Sequence, residues 1–228
     1  MPSALPHLLF GQHLLLSSDR SIYWEERKTL VMSDLHLGKT GHFRKSGIGV
    51  PASVYLEDLH RLFEAIRYFR AETLVVTGDM FHSHANRELE LFCKWRADFS
   101  QLSIQLVKGN HDILSTAFYE QAGIDLIPHV LKDGPFAFIH DKEELDGGEE
   151  NGHYVFSGHV HPAIGIQGKG RQSVRFPCFH FGKRQAFLPA FSRFCGHHTI
   201  KPRKGDHVYA LIPGEKTGQA PQILALQS

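Results

Sequence analysis

Cysteine is scarce in this chain. The three present, Cys93, Cys178 and Cys195, are odd in number and widely spaced, so they form neither a disulfide framework nor a Cys-x-x-Cys pair. A reducing cytoplasm fits that usage. Charge of one sign is also missing: 25 Lys and Arg stand against 24 Asp and Glu, a net of +1. With no global basic field, a nucleic-acid partner would have to be held by a local patch. No apolar run approaches the ~20 residues of a membrane span. Residues Met1 to His7 lack the basic start and long apolar stretch of a signal peptide. No long linker, repeat or low-complexity tract appears. These absences predict one soluble intracellular domain over residues 1–228, with no membrane partner. At that length the chain buries a sizeable core without disulfide staples.

Apolar periodicity divides the chain into two halves. Leu8 to Leu16 and Ser21 to Trp24 read as opening strands around a polar turn at Ser17 to Arg20. Thr29-Leu-Val-Met, Thr73-Leu-Val-Val-Thr and Ser103-Ile-Gln-Leu-Val read as buried strands. Between them, Leu59, Leu62, Phe63 and Ile66 mark a helix over Pro51 to Arg70, with Pro51 in its first turn. Leu89, Phe92, Trp95 and Phe99 mark a second helix. This β-α-β-α-β alternation implies parallel strands, with ligand groups gathered at their carboxyl ends. The second half is strand-rich: Phe136 to Ile139, Tyr154 to Ser157, Ala163 to Gln167, Ser173 to Phe181 and His207 to Ile212. A second sheet packed on the first is expected. Glu143 to Gly152 reads as a loop, and the tail after Pro213 is weakly patterned.

Five polar stretches end apolar strand-like runs, in one order: Asp34-Leu-His36, Gly78-Asp79, Gly109-Asn110-His111-Asp112, His140, and Gly158-His159-Val-His161. In a chain with 17 histidines, any one of them is weak. All five in order point to a dinuclear metal site. Asp79 has two oxygens and can bridge two cations. The expected partition is Asp34, His36, Asp79 and His161 on one ion, and Asp79, Asn110, His140 and His159 on the other. His129 and His153 are the rivals of His140 for its place. The set has mixed O and N donors and no thiolate, which argues against a structural zinc site. Mn²⁺, Fe²⁺ and Zn²⁺ all tolerate it. Two ions roughly 3.5–4 Å apart can activate water and clamp a phosphate. His111, beside Asn110, is the candidate general acid or charge stabiliser. A buried Asp among histidines is expensive without a cation, which weighs against a purely structural role.

These motifs resemble the calcineurin-like metallophosphoesterase superfamily. The resemblance implies a four-layer α/β/β/α sandwich, often with manganese. The chain is also similar to the bacterial DNA-ligase-associated metallophosphoesterase family. That similarity is carried by Ser33-Asp-Leu-His-Leu-Gly-Lys39, Phe43-Arg44 with Gly47-Ile-Gly-Val-Pro51, Gly78-Asp-Met-Phe-His-Ser83, Val107-Lys-Gly-Asn-His-Asp112, Ser157-Gly-His-Val-His-Pro162, Pro177-Cys-Phe-His-Phe-Gly182 and Leu188-Pro-Ala-Phe191. It implies a phosphodiesterase or endonuclease acting on nucleic acid or a nucleotide diester, alongside a DNA ligase and a helicase in DNA repair. The chain departs from the pattern where Asp141 follows His140, and where His180 stands in place of an aromatic. His82, three past Asp79, is similar to the Gly-Asp-x-Phe-His look of a double-strand-break repair nuclease. It is a candidate to orient His111 or to touch substrate.

Other features are weaker. Lys39, His42, Arg44 and Lys45 make a basic loop in which Arg44 could bind phosphate bidentately; a solvated loop is the bland reading. Arg171, Arg175, Lys183, Arg184, Arg193, Lys201, Arg203 and Lys204 make the last third basic. That could be a nucleic-acid surface, though such charges are more often plain surface. Cys195-Gly-His197-His198 could bind metal, but with no matching second half it reads as a loop. The competing functions are a phosphomonoesterase or nucleotide pyrophosphatase with the same metals, and a scaffold that has lost its chemistry.

Overall fold

In the strand Thr29–Met32, Leu30 and Met32 face one way and Val31 the other, and all three are buried. Both faces of the strand are therefore covered, and the same holds for its neighbours. This computed structural model describes residues 3–39, 53–82, 87–142, 152–168, 172–214 and 220–227. The first sheet contains β1 (Ala4–Leu9), β2 (Gln12–Ser17), β3 (Ser21–Trp24), β4 (Thr29–Met32), β5 (Thr73–Thr77), β6 (Ser103–Val107) and β7 (Ile124–Ile127), in that spatial order. Strands β1 to β4 are antiparallel, and β4 to β7 are parallel. Helices α1 (Ser53–Phe69), α2 (Arg87–Asp98) and α3 (Thr116–Gln121) lie between the parallel strands in sequence. Leu59, Leu62, Ile66 and Phe69 of α1, Leu89, Phe92 and Trp95 of α2 and Tyr119 of α3 pack with Leu30, Met32, Leu74, Val76, Ile104 and Leu106. The 3.6-residue stripe of each helix thus meets the outer, period-2 face of the sheet.

The inner face carries Val31, Val75 and Val107 and meets a second sheet. That sheet contains β8 (Leu131–Asp133), β9 (Phe136–Ile139), β10 (Tyr154–Ser157), β11 (Pro162–Gln167), β12 (Ser173–Phe181), β13 (Gln185–Phe187), β14 (His198–Thr199), β15 (His207–Ile212) and β16 (Gln222–Gln227). Its order is β14-β11-β12-β13-β10-β9-β8, with β15 paired to β12 and β16 to β15. Phe136, Phe138, Phe156, Phe179 and Phe181 fill the space between the sheets, so the basic last third contributes core as well as surface. Among the described residues, all three α-helices cover the first sheet; none of them lies on the outer face of the second, where Ala137, Ile139 and Val155 cluster.

Two details differ from the pattern reading. Leu8 to Leu16 is not one strand but the hairpin β1–β2, turned at Phe10-Gly11, where both residues have positive φ (50° and 73°). A two-residue turn of this kind matches the twist of the flanking strands. The weakly patterned tail supplies β16, held by its ladder with β15. Among the described residues, no helix is long and apolar enough to cross a membrane.

Strands β9, β10 and β13 run parallel, so their carboxyl ends share one side. That side meets the carboxyl ends of β4 and β5. Ser33 bridges to Ala190, Phe191 N–H donates to Ser33 O (2.8 Å), and Ser192 N–H donates to Asp34 O (3.2 Å). A Cβ on Gly158 would fall 2.8 Å from both Asp34 Oδ2 and Thr77 O, so the end of β10 presses directly on the first sheet.

Candidate metal centre

All seven residues expected to hold metal come together on this rim, each just past the end of a strand. Asp34 and His36 follow β4, Asp79 follows β5, Asn110 follows β6, His140 follows β9, and His159 and His161 follow β10. Rival His153 stands at the amino end of β10, the far end from His159. Asp34, His36, Asp79, His159 and His161 all have φ between 47° and 63°. A non-glycine residue in this left-handed region costs roughly 1–2 kcal/mol. Five such positions within one site concentrate backbone strain where side chains must converge.

Asp79 presents one oxygen to each half of the cluster. Its Oδ2 is 3.8 Å from His36 Nε2, and its Oδ1 is 3.5 Å from His140 Nε2. On the first side, His36 Nε2 lies 3.9 Å from Asp34 Oδ1, and His161 Nε2 lies 3.0 Å from the same oxygen. On the second side, His140 Nε2 is 2.8 Å from Asn110 Oδ1 and 3.2 Å from His159 Nδ1. The outer nitrogens are tied back. His140 Nδ1 donates to Thr77 O (3.1 Å) and His161 Nδ1 to Gly196 O (3.0 Å), which leaves each Nε2 facing inward.

His111 N–H donates to Asp79 Oδ1 (2.9 Å), while the His111 ring is 40% exposed with Nε2 4.0 Å from Asp79 Oδ2. His82 packs beside it at 4.4 Å between ring centroids, and its Nδ1 is 3.3 Å from His36 Nδ1. Arg44, with the rest of its basic loop beyond Lys39, lies outside the described residues.

The calcineurin-like phosphoesterase family profile matches residues 27–182, which takes in every one of these positions. The chain belongs to the calcineurin-like phosphoesterase family. It is therefore a phosphoesterase, and its two-sheet architecture is the metallophosphoesterase sandwich. Among solved structures it is similar to the Pseudomonas putida nuclease MPE, at 28% identity with a TM-score of 0.77 over 91% of this chain and 96% of that one. It also matches Yfce, a phosphoesterase from E. coli, at 15% identity and a TM-score of 0.41 over 81% of this chain and 88% of that one. A predicted phosphoesterase from Streptococcus pneumoniae matches at 14% identity and a TM-score of 0.32 over 87% and 97%. No curated protein matches the chain.

The residues of this phosphoesterase fit the divalent metal that its fold implies. Asp34 Oδ1 and His36 Nε2 are buried and have no hydrogen-bond partner. His161 is near enough to Asp34 for charge attraction but out of line for a hydrogen bond. A buried oxygen and nitrogen left bare in this way are costly unless a cation accepts both lone pairs. Donor atoms of Asp34, Asp79 and His140 lie within 4.8 Å of one another, as metal ligands must. Burial, with Lys39, His161 and His82 nearby, pushes His36 down to about 2 against the pull of Asp34, so its ring is neutral and its lone pair is available. Burial raises the Asp34 carboxyl, but the attraction of the adjacent His161 ring, then of His140, and the hydrogen bond from the Ser33 hydroxyl outweigh it and hold Asp34 below the usual carboxylate range.

Three further residues support the site in ways that their sequence motifs do not assign. Asp112 is fully buried and accepts from Phe81 N–H and Gly109 N–H (2.9 Å each), joining the Asn110 loop to the Asp79 segment; burial lifts its carboxyl to about 7. Asp141, the departure noted after His140, lies 3.5 Å from His159 Nε2 and so faces the outer side of that ring. Cys195 brings a sulfur to within 4.8 Å of ring nitrogens of both His36 and His161. Its motif carries no metal-site spacing; only the path of the loop after β13 brings it here.

Proposed function

We propose that this phosphoesterase, as one domain over residues 1–228, is an endonuclease hydrolysing phosphodiester bonds with two divalent cations, and that it serves DNA repair beside a DNA ligase and a helicase. The observation that carries the reading is the split of Asp79 between two sets of inward-facing donors, with Asp34 Oδ1 and His36 Nε2 of the first set left bare. Asp34, His36, His161 and Asp79 Oδ2 would hold one cation. Asp79 Oδ1, Asn110, His140 and His159 would hold the other. The family resemblance favours manganese. Such a pair activates water and neutralises the charge that builds on the phosphate during an in-line displacement.

The rest is the work of the chain. His111 is anchored through its backbone to Asp79 while its ring reaches solvent, so it can hold a proton at Nε2 and deliver it to the leaving oxygen. His82, packed against His111 and His36, fixes that ring's orientation. Support for a polymeric substrate comes from a cavity of about 530 Å³ lined by Arg20, Arg61, Arg175 and Arg193. It shares its wall with the metal centre: Arg20 donates to the carbonyls of Ala190 and Ser192, in the segment that hydrogen-bonds to Asp34. Such a groove suits flanking phosphates. The 28% identity to a protein named as a nuclease, over nearly the whole chain, points the same way. The repair setting rests on the resemblance to the ligase-associated family.

The test compares a bis-aryl phosphate, a mono-aryl phosphate and single-stranded DNA with Mn²⁺, on wild type, Asp79→Ala and His111→Ala, with metal content measured on each. Diester and DNA cleavage are expected to exceed monoester cleavage. Asp79→Ala should lose both metal and activity. His111→Ala should keep metal and lose about 10²–10⁴ in rate, most on poor leaving groups. Equal activity of the three proteins, or a preference for the monoester, would overturn the reading.

A further inference from the structure

The segment from Ala190 to Gly196 is held unusually firmly. Arg20 clamps the carbonyls of Ala190 and Ser192, and Arg61 holds the carbonyl of Phe191 (3.0 Å) while stacking over its ring at 4.3 Å. Asp58 in turn binds Arg61 and accepts from Arg193 N–H (3.3 Å). On the other side, Phe191 and Ser192 are bonded to Ser33 and Asp34, and Gly196 O receives His161 Nδ1. Cys195 lies between these anchors. Its Sγ position is set by the loop, with Lys39 Nζ 3.8 Å away.

That sulfur and ring nitrogens of His36 and His161 all fall within 4.8 Å of one another. A sulfur about 2.3 Å and a nitrogen about 2.1 Å from one cation stand roughly 3–3.6 Å apart, so donors within 4.8 Å of one another need to close by only about 1 Å to share one coordination sphere. A second observation points to a ligand at the same spot. His36 is only 5% exposed and its Nε2 has no hydrogen-bond partner; the same is true of Asp34 Oδ1, in a residue that is 0% exposed.

We propose that Cys195 is a further donor to the cation held by Asp34, His36, Asp79 and His161, and that its sulfur biases this position toward Zn²⁺ or Fe²⁺. The proposal rests on the dinuclear reading above. As the sulfur–metal bond forms, the thiol proton leaves to solvent and the thiolate supplies the electron pair. Soft thiolate selects zinc or iron over manganese. The other position, with Asp79, Asn110, His140 and His159, has only oxygen and nitrogen donors and keeps its tolerance for Mn²⁺. The two positions therefore differ in chemistry, and the enzyme favours a mixed-metal pair.

Cobalt loading tests this without an activity assay. Metal-free protein is titrated with Co²⁺ and the near-ultraviolet thiolate-to-cobalt charge-transfer band is recorded for wild type, Cys195→Ser, Cys195→Ala and Cys93→Ser, with thermal unfolding checked for each. The band is expected in wild type and in Cys93→Ser, whose cysteine is exposed and elsewhere. It should vanish in both Cys195 variants. In competition, replacing Cys195 should reduce the preference for Zn²⁺ over Mn²⁺ by about tenfold or more, at least what outer-shell changes do to metal sites. Alkylation mapped by mass spectrometry should show Zn²⁺ protecting Cys195 while Cys93 still reacts. Two bound cobalt ions without the band, or a band that survives Cys195→Ser, would overturn this proposal and leave the dinuclear site standing. A protein that binds no cobalt would overturn both.

Discussion

Gly78→Ala isolates the role of close packing behind the metal centre. Gly78 has φ 85°, and a Cβ there would lie 2.1 Å from His140 Nδ1, 2.4 Å from its Cγ and 2.7 Å from its Cβ. Ordinary contact begins at 3.4 Å, so the imidazole must retreat by about 1.3 Å. That movement breaks the hydrogen bond from His140 Nδ1 to Thr77 O, about 1 kcal/mol. Overpacking adds about 1–3 kcal/mol. Left-handed backbone at an alanine adds roughly 1–2 kcal/mol more. Metal–ligand distances tolerate only about ±0.2 Å, so the His140 position should lose its ion while the Asp34 position keeps its own. A displacement on the order of 1 Å also costs about a hundredfold in rate. Gly205→Ala is the matched control: its φ is 92° and nothing lies within 4 Å of the added carbon, so it carries the backbone cost alone. The assay is metal stoichiometry by elemental analysis, with diester turnover and urea unfolding on both variants. If Gly78→Ala keeps two ions and the activity of Gly205→Ala, the assignment of His140 to the site is wrong.

Two other perturbations read different parts of the molecule. Burial, with His207 nearby, lowers His7 to about 4, against 6.5 in the open chain. Below pH 6.5 the unfolded chain binds a proton that the folded ring refuses until about pH 4, so stability should fall as pH drops through that window and stay flat above it. The shift corresponds to about 3 kcal/mol, cut to roughly 1–2 kcal/mol because the ring is only partly buried. Urea unfolding at pH 4, 5 and 6.5 should show that slope in wild type and a shallower one in His7→Phe; parallel slopes would exclude His7 as the source. In the arginine-lined cavity, exposed Arg175 and Arg193 are the candidates to meet phosphate. Each changed to Ala should weaken single-stranded DNA binding across all sequences and flatten the salt dependence by about 0.7 for each phosphate no longer neutralised. Fluorescence anisotropy between about 50 and 200 mM salt measures this, and an unchanged slope would remove the cavity from the binding path.

Much of the first sheet is legible along the chain because its parallel strands are short buried runs, separated by helices whose apolar residues keep helical spacing. Thr29–Met32, Thr73–Thr77 and Ser103–Val107 are of this kind, with Ser53–Phe69 and Arg87–Asp98 between them. The β1–β2 hairpin was hidden because Phe10 occupies a left-handed turn position that usually falls to Asn, Asp or Gly. Strand β16 was hidden because its partner is a strand, not a pattern. That Asp34, His36, Asp79, Asn110, His140, His159 and His161 meet on one rim was readable because each ends a strand-like run. Their left-handed backbones were not readable, since Asp and His do not by themselves signal positive φ.

Residue chemistry and order along the chain were enough to name the candidate donors and the reaction class, because a parallel sheet gathers the ends of its strands on one side. Only the folded molecule decided which donor atoms stay bare, which oxygen of Asp79 faces which group, and that Cys195 reaches His36 and His161. Those outcomes depend on contacts between segments more than a hundred residues apart, such as Arg61 with Phe191 and Ser33 with Ala190, and no local pattern of side chains encodes such a meeting.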